Sequence, residues 1–331
     1  MAEKTSKKSS CSPNPDDEIN ISTHFTAYTL KKTFDQLKAE FANVPRDVKK
    51  EDMTMFLKNG PKNRSPDVPC VDKERVVLRH AGPHYIHANY VYLFGSTFIC
   101  AQLPTSETVD DHWLMILQAQ CESIVTISDP SESGKITPYW PTRENPVKKF
   151  GDFTIRWYFT WNHPSPKLRD SVKLSRYEVS VDGQQLNNIY HYHWTDWPAG
   201  GVPRDFAGPI ELLNRVSHNS KPILVESLLG VGRPGVLALM QYALNRTTAN
   251  CFLGFLDEDL HTLRQYRAHL VETPWQYIYV YMALLQHFEQ MPGRGFTDAR
   301  KKKLKEEWMP AYHKFAKEAE AQLKRDAAKK K

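Results

Sequence analysis

The chain has 331 residues, of which 40% are hydrophobic, and this composition is typical of a globular protein with one large domain or two small ones. The formal net charge is +6, but residues 292–331 hold thirteen Lys or Arg and six Asp or Glu (13 − 6 = +7), so the remainder carries 6 − 7 = −1. A nearly neutral body excludes a nucleic-acid-binding surface on the fold itself. The five cysteines are scattered without metal-ligand spacing, and neither a signal peptide nor an apolar run of about 20 residues is present. We therefore expect a cytoplasmic or nuclear protein with reduced thiols.

The first half of the chain predicts a disordered start, one helix and several strands. Residues 1–20 are polar and are predicted to be disordered. Leu30, Phe34, Leu37 and Phe41 follow at helical spacing, and Pro45 is expected to end that helix. Runs rich in β-branched and aromatic residues predict strands at Arg75–Leu78, Ser123–Ser128, Phe153–Trp161, Val172–Val181 and Ile189–His193.

The last third is dominated by helical patterns around one short buried strand, Pro222–Val225. Strands with interspersed helices in one core predict an α/β fold, a mixed twisted sheet flanked by helices on both faces. We place this domain at residues 21–291 and a basic helical tail at residues 292–331. The predicted helices are Leu114–Gln120, Ile210–Val216, Val236–Leu244, Leu260–Leu270 and Trp275–Phe288.

The tail carries one apolar helical face surrounded by basic residues. A solvated helix with a few docked aromatic residues is one interpretation, and a basic amphipathic helix that binds an anionic membrane or a partner is the other. Pro310 is expected to break or kink this helix. The apolar face consists of Leu304, Trp308, Tyr312, Phe315 and Ala319.

A strand, a glycine-containing loop and a helix follow one another at residues 223–244. This arrangement lines up backbone N–H groups with a helix N-terminus and favours an anion, and Arg233 can add a bidentate contact to phosphate. Gly230, Gly232 and Gly235 also spell the dinucleotide fingerprint, with Asp257 downstream. Pro234 lacks the N–H that a pyrophosphate needs, and no series of strands and helices precedes the loop, so this alternative is the weaker one.

The loop resembles the signature loop of the classical protein tyrosine phosphatases, H-C-S-x-G-x-G-R-[S/T]-G, with Gly230, Gly232, Arg233 and Gly235 in register. Other motifs of that family occur in family order between Thr23 and Glu289. They are Lys62-Asn63-Arg64 with Asp67, Tyr85–Tyr90, Phe98–Gln102, Tyr139-Trp140-Pro141, Trp197-Pro198, and Leu263-Arg264 with Arg267, Thr273, Gln276 and Tyr277.

The resemblance implies that two catalytic groups of the family are absent. Ser227 stands where the family has the nucleophilic cysteine, and an alcohol there stays protonated, whereas the family's thiolate attacks phosphorus. Ala199 stands where the family has the aspartate that protonates the leaving phenolate. Glu226 replaces a histidine, and Asp196 precedes the Trp-Pro pair and should face elsewhere.

The resemblance also implies which residues contact a ligand. Ser65 replaces the tyrosine that flanks a phosphotyrosine ring, and Glu272 replaces a glutamine that positions water. Glu226 and Glu272 add negative charge near the loop and are expected to oppose a phosphate. The phosphate-binding set is Ser227, Leu228, Leu229, Gly230, Val231, Gly232 and Arg233, and the substrate-recognition set is Ser65, Asp67, Glu272 and Gln276.

We therefore predict a catalytically inactive domain that binds a tyrosine or phosphotyrosine segment, for example on a kinase, in signalling. The alternative is a divergent phosphatase that uses Glu226 or Asp196 in place of the lost groups. No cofactor, metal or nucleic acid is expected. Attraction of the basic tail to a membrane surface is a weaker expectation.

Overall fold

The computed structural model describes residues 15–79, 84–136, 139–217, 220–249, 251, 255–291 and 296–329, with side chains from residue 21 onward. Nine strands in this part of the chain form one sheet in the order β1-β2-β3-β9-β4-β8-β7-β6-β5. The strands are β1 Arg75–Val77, β2 Tyr85–Tyr92, β3 Thr97–Gln102, β4 Ser123–Ile127, β5 Val147–Phe150, β6 Phe153–Asn162, β7 Val172–Val181, β8 Gln184–Trp194 and β9 Ile223–Ser227.

Helices cover both faces of the sheet and precede and follow it in the chain. A π-helical turn, Leu304–Trp308, joins the last two α-helices. The α-helices are α1 Pro15–Thr29, α2 Phe34–Asn43, α3 Thr54–Lys58, α4 Val109–Gln118, α5 Ala207–Val216, α6 Gly232–Thr248, α7 Leu256–Tyr266, α8 Pro274–Gln290, α9 Asp298–Lys303 and α10 Met309–Lys329.

The centre of the sheet is parallel and its two sides are antiparallel. Strand β9 lies between β3 and β4 and runs parallel to both, and β4 also pairs in parallel with β8. All five residues of β9 are buried, as expected for a central parallel strand covered on both faces. The prediction of a mixed α/β sheet flanked by helices is confirmed.

Alternate residues of β9 divide the core between the two faces. Ile223 and Val225 pack into the larger cluster, which includes α2 and α5 to α8, whereas Leu224 packs with Trp113 and Ile116 of α4. Because side chains alternate along a strand, one short apolar run serves both layers. The strand that leads into the loop after β9 is therefore held by packing on both faces of the sheet.

Sequence pattern located most elements and misjudged several boundaries. Residues 1–14 of the predicted disordered segment lie outside the described residues, but α1 begins at Pro15, so disorder as far as residue 20 was wrong. A proline at the first helical position followed by acidic residues is typical of a helix start. The motif segments at residues 85–92 and 97–102 form strands β2 and β3, for which no strand was predicted.

The C-terminal helices pack against the domain. Leu304, Trp308 and Tyr312 are buried, and the ring centroids of Phe34 and Trp308 lie 5.2 Å apart. The helix continues through Pro310 after a π turn, so no break occurs there, while the expected kink stays a prediction. The apolar face of the tail is thus covered by the domain, as the solvated-helix interpretation requires, while its attraction to a membrane surface stays a prediction. Among the described helices, none has the length and apolar character needed to cross a membrane.

Candidate functional site

The candidate site lies where the carboxyl ends of the four central parallel strands meet. The glycine loop follows β9, Gln102 and Leu103 end β3, residues 129–135 follow β4, and residues 195–203 follow β8. Ligands of open α/β sheets bind at this edge, because loops that are distant in sequence converge there. The fold therefore brings together most of the residues that the sequence singled out.

The loop at residues 227–232 is tightly folded around Ser227 and Gly230. Gly230 has φ +70°, and a side chain there would overlap the backbone of Ala101. The Ser227 Oγ atom accepts a hydrogen bond from the Gly230 N–H at 3.1 Å. Leu228 and Leu229 are half-buried, and Gly230, Val231 and Gly232 are buried. The predicted phosphate-binding segment is thus a closed strand-to-helix loop.

Arg267 holds this loop from below. Its guanidinium is fully buried and donates to the carbonyl oxygens of Gly230 at 2.9 Å and Leu229 at 3.2 Å. It also donates to Asn89 Oδ1 at 2.9 Å. Because a trans peptide directs its N–H away from its carbonyl, the Gly230 N–H points away from Arg267, and it is bonded to Ser227 Oγ. In the sequence, Arg267 stands out only as part of a family motif, and nothing there indicates that it positions the loop.

Arg233 makes a bidentate ion pair with Glu132. Its two terminal nitrogens lie 2.6 and 2.7 Å from the Glu132 carboxylate oxygens, and both side chains are nearly fully buried. Arg233 also donates to the Trp197 carbonyl at 3.0 Å. Glu132 lies 101 residues away from Arg233 in sequence, so the loop motif alone does not identify this partner.

The segment carrying Ala199 is tied to the start of α8. Thr273 donates to the Gly200 carbonyl at 2.9 Å, and Gln276 donates to the Gly201 carbonyl at 3.2 Å. Gln276 is fully buried, whereas Ala199 is exposed and lines a groove of about 770 Å³ between this segment and α10. A methyl group is thus the side chain that position 199 presents.

Asp196 lies beside this segment and is held by other groups. Its carboxylate accepts hydrogen bonds from Trp194 Nε1 at 2.9 Å and from Ser171 Oγ at 3.0 Å. Both bonds fix the carboxylate on the β7–β8 side of the sheet. Asp196 nevertheless lines the same groove as Ala199, so the expectation that it faces away from the position of a general acid stays a prediction.

Glu226 points away from the loop into a buried polar network. One carboxylate oxygen accepts from Thr126 Oγ1 at 2.6 Å and Tyr139 OH at 2.5 Å, and the other lies 2.9 Å from His112 Nε2. The contact with His112 does not have the geometry of a hydrogen bond. Adjacent residues of a strand face opposite sides, and Glu226 faces α4, so its carboxylate does not line the loop, while its electrostatic effect on an anion there stays a prediction.

The predicted recognition segment lies next to the loop. Arg64 donates its backbone N–H to Gln102 Oε1 at 3.0 Å, and Gln102 pairs with Ser227 across β3 and β9. Ser65 is half-buried and its hydroxyl accepts from the Asp67 N–H at 3.1 Å, while Asp67 is exposed. Small polar residues, with no aromatic ring, therefore form this side of the cleft.

Glu272 lies directly over the loop. A side-chain carbon added to Gly232 would overlap Glu272 Oε2 and would lie 2.8 Å from Glu272 Cδ. The backbone N–H of Glu272 donates to Gln276 Oε1 at 2.9 Å. Of the two glutamates that the sequence placed near the loop, the structure brings only Glu272 into it.

Three of the cysteines are buried away from the loop. Burial raises the pKa of the Cys70 thiol, and it raises the pKa of Cys100 and of Cys121 to about 12. Cys70 Sγ lies 3.3 Å from Asn89 Oδ1, on the far side of Arg267. Such thiols stay protonated at neutral pH and are poor nucleophiles.

Comparison with known proteins identifies similar sequences and a similar fold. The family profile described as protein-tyrosine phosphatase matches residues 59–286. Tyrosine-protein phosphatase 69D of Drosophila melanogaster is 30% identical over 273 residues, which are 78% of this chain and 18% of that protein. Tyrosine phosphatase-like protein J1 of Microplitis demolitor bracovirus (isolate Webb) is 29% identical over 256 residues, 71% of this chain and 83% of the viral protein.

Two further matches extend the comparison. Human tyrosine-protein phosphatase non-receptor type 2 is 27% identical over 311 residues, which are 88% of this chain and 72% of that protein. A solved structure from work on the PTPN18 fingerprint on distinct HER2 tyrosine phosphorylation sites has a TM-score of 0.67 and 22% identity. It covers 80% of this chain and 99% of its own, and at that identity it shows the fold alone.

Proposed function

The chain belongs to the protein-tyrosine phosphatase family, and within it we propose a catalytically inactive domain that binds a tyrosine-containing or phosphotyrosine-containing protein segment in signalling. The proposal treats residues 21–291 as the binding domain and residues 292–331 as a helical extension docked on it. Kinases are one source of such segments. A phosphotyrosine segment is also the ligand that the family name implies. The proposed protein would therefore bind this class of ligand without hydrolysing it.

One observation carries the proposal: among the described residues, the strand, the glycine loop and the helix start are present around Ser227, whose hydroxyl is bonded to the Gly230 N–H and to no carboxylate or imidazole. Ser227 Oγ accepts from the Gly230 N–H, so the hydroxyl is oriented by its own loop. Glu226, its sequence neighbour, is bonded by Thr126 and Tyr139 on the opposite face of β9. An unactivated hydroxyl is a weak nucleophile, since it needs an adjacent base that is itself held in place.

Departure of the leaving group also lacks a catalytic group. A tyrosine phenolate has a conjugate acid with a pKa near 10 and departs slowly unless it is protonated. Ala199 offers no proton, and Asp196 is held by Trp194 and Ser171. General acid catalysis contributes about 10²- to 10⁴-fold, so its loss adds to that of the nucleophile. Arg233 pairs with Glu132 and Gln276 holds the Gly201 carbonyl, while Asp67 is exposed beside the loop, so the framework of the cleft is retained without the two catalytic groups.

The test has a turnover arm and a binding arm, both with the full chain. We expect no release of phosphate from p-nitrophenyl phosphate or from a phosphotyrosine peptide array, and the same result with Ser227→Ala. We expect the array, or its unphosphorylated counterpart, to be bound, and Arg233→Lys to weaken that binding. Arg215→Lys, a change at an exposed arginine of α5, is the matched control.

Two results would overturn the proposal. Turnover well above background that Ser227→Ala abolishes would restore the divergent-phosphatase alternative. Failure to bind either array at millimolar peptide concentration, by a protein whose thermal unfolding is cooperative, would remove the cleft as a binding site.

A further inference from the structure

The Glu272 carboxylate lies against the residue that begins α6. Gly232 is the first residue of this 17-residue helix, and the carboxylate carbon of Glu272 lies within 2.8 Å of where a Gly232 side chain would begin. The N–H groups of a first helical turn have no partners within the helix and attract negative charge. A carboxylate of the chain itself thus occupies the end of the helix toward which the loop would direct an anion.

The backbone of Glu272 is held where it is. Val271 has φ +59°, a conformation that a β-branched residue rarely adopts, and its N–H donates to the Val231 carbonyl of the loop at 3.3 Å. Gln276 Oε1 accepts from the Glu272 N–H, and Arg46 donates to the Glu272 carbonyl at 3.3 Å. Such a strained segment persists because the surrounding bonds over-determine it. The side chain of residue 272 is therefore directed at the loop by its own main chain.

The Arg233 guanidinium and the Gly230 N–H also have partners within the protein. Both terminal nitrogens of Arg233 are bonded to Glu132, and the Gly230 N–H is bonded to Ser227 Oγ. Glu272 approaches the loop from the side of the start of α8, where Thr273 and Gln276 hold the carbonyls of Gly200 and Gly201. An incoming phosphate dianion would meet a fixed like charge there, and like charges at close range are strongly disfavoured.

We infer that Glu272 is a specificity-determining residue that closes the loop to phosphate and makes the cleft prefer an uncharged tyrosine side chain to phosphotyrosine. The inference rests on the proposed function, since it assumes that the cleft is used for binding. A neutral ring brings no charge against the Glu272 carboxylate, whereas a phosphate must displace it. Neutralising residue 272 should therefore open the loop to anions.

The experiment compares wild-type protein, Glu272→Gln and the control Glu258→Gln by isothermal titration calorimetry with tungstate, a tetrahedral oxyanion. Glutamine keeps the shape of the side chain and removes its charge, and Glu258 is an exposed acidic residue of α7. We expect Glu272→Gln to bind tungstate about tenfold more tightly or better, because one like charge beside an anion is worth a factor of that order. The control should bind as the wild type does.

A second titration uses N-acetyl-phosphotyrosine amide and N-acetyl-tyrosine amide. The wild type should bind the tyrosine amide at least as tightly as the phosphorylated one, and Glu272→Gln should reverse the order. Equal tungstate affinity in all three proteins, or no detectable binding in any of them while each unfolds cooperatively, would overturn the inference.

The two proposals fail in different ways. If Glu272→Gln gains nothing but the wild type binds phosphotyrosine peptides through Arg233, the role of Glu272 is refuted and the binding function stands. If Glu272→Gln gains tungstate affinity but neither peptide array is bound, Glu272 does close the loop and the proposed function fails.

Discussion

Removing the carboxylate of Glu132 should destabilise the protein far more than removing a carboxylate at the surface. Arg233 and Glu132 are 4% and 6% exposed at their side chains, and two bonds of 2.6 and 2.7 Å join them. In Glu132→Gln the guanidinium keeps its bond to the Trp197 carbonyl but loses its counter-charge. Breaking one partner of a buried ion pair costs about 3–5 kcal/mol, since the remaining charge is left uncompensated.

Urea unfolding of the full chain, followed by tryptophan fluorescence, measures this cost. The matched control is Glu122→Gln, because Glu122 pairs with Lys221 at side-chain exposures of 35% and 40%. An exposed pair contributes about 0–1 kcal/mol, so the control should lose at most that amount. The free energy of unfolding of Glu132→Gln should be lower than that of the control by about 3 kcal/mol.

A double variant makes the reasoning refutable. Arg233→Met removes the charge that Glu132→Gln leaves unpaired, and replacing both members of a buried pair is often nearly neutral. The double variant should therefore be more stable than Glu132→Gln alone. If Glu132→Gln costs no more than Glu122→Gln, or the double variant is the least stable of the three, the buried pair does not anchor the loop as described.

Three further predictions concern the reaction, the tail and pH. Ser227→Cys with Ala199→Asp should release phosphate from p-nitrophenyl phosphate, with the aspartate contributing about 10²-fold or more; if the folded double variant releases none, the loop has lost its catalytic geometry. Trp308→Ala should lower the free energy of unfolding, measured in urea, by about 3 kcal/mol or more, and Trp161→Ala, at an exposed tryptophan, should lower it by about 1 kcal/mol at most. Equal losses of stability would mean that the tail does not dock. Burial lowers the pKa of His193 to about 4, so its stabilising contribution is present above pH 6.5 and is lost as the pH falls toward 4, by about 1.4 kcal/mol per pH unit. In His193→Gln the free energy of unfolding should therefore fall less steeply over this pH range. An unchanged pH profile of the unfolding free energy would contradict the prediction.

The sheet and most helices could be predicted from the sequence, because the period of the apolar residues reports local structure. The bounds of β7 were predicted to the residue, and the helix at residues 274–290 was predicted within a few residues. Strands β2 and β3 escaped a strand assignment because their residues, such as His87, Asn89 and Gln102, mix polar types into a buried run. Their partners in the fold satisfy those polar groups.

The candidate site was predictable where one motif supplies it and unpredictable where distant segments meet. Residues 227–233 follow one another in the chain, so the loop could be predicted directly. The pairing of Glu132 with Arg233 spans 101 residues, and that of Thr126 with Glu226 spans 100. Such contacts depend on which strands lie side by side, and nothing local in the sequence reports the order β3-β9-β4-β8. The acidic residues near the loop could be counted in the sequence, but the side of the strand on which each one lies could not be predicted.

The buried network under β9 constrains how this chain could change during evolution. Glu226→His, the residue that the resemblance implies at this position, would place a second imidazole beside His112, where Thr126 and Tyr139 now donate to a carboxylate. A neutral imidazole has one acceptor nitrogen, whereas the Glu226 carboxylate now accepts from both Thr126 and Tyr139, so one buried hydroxyl would lose its partner. A change at position 226 is therefore expected to require a compensating change among the residues that contact it.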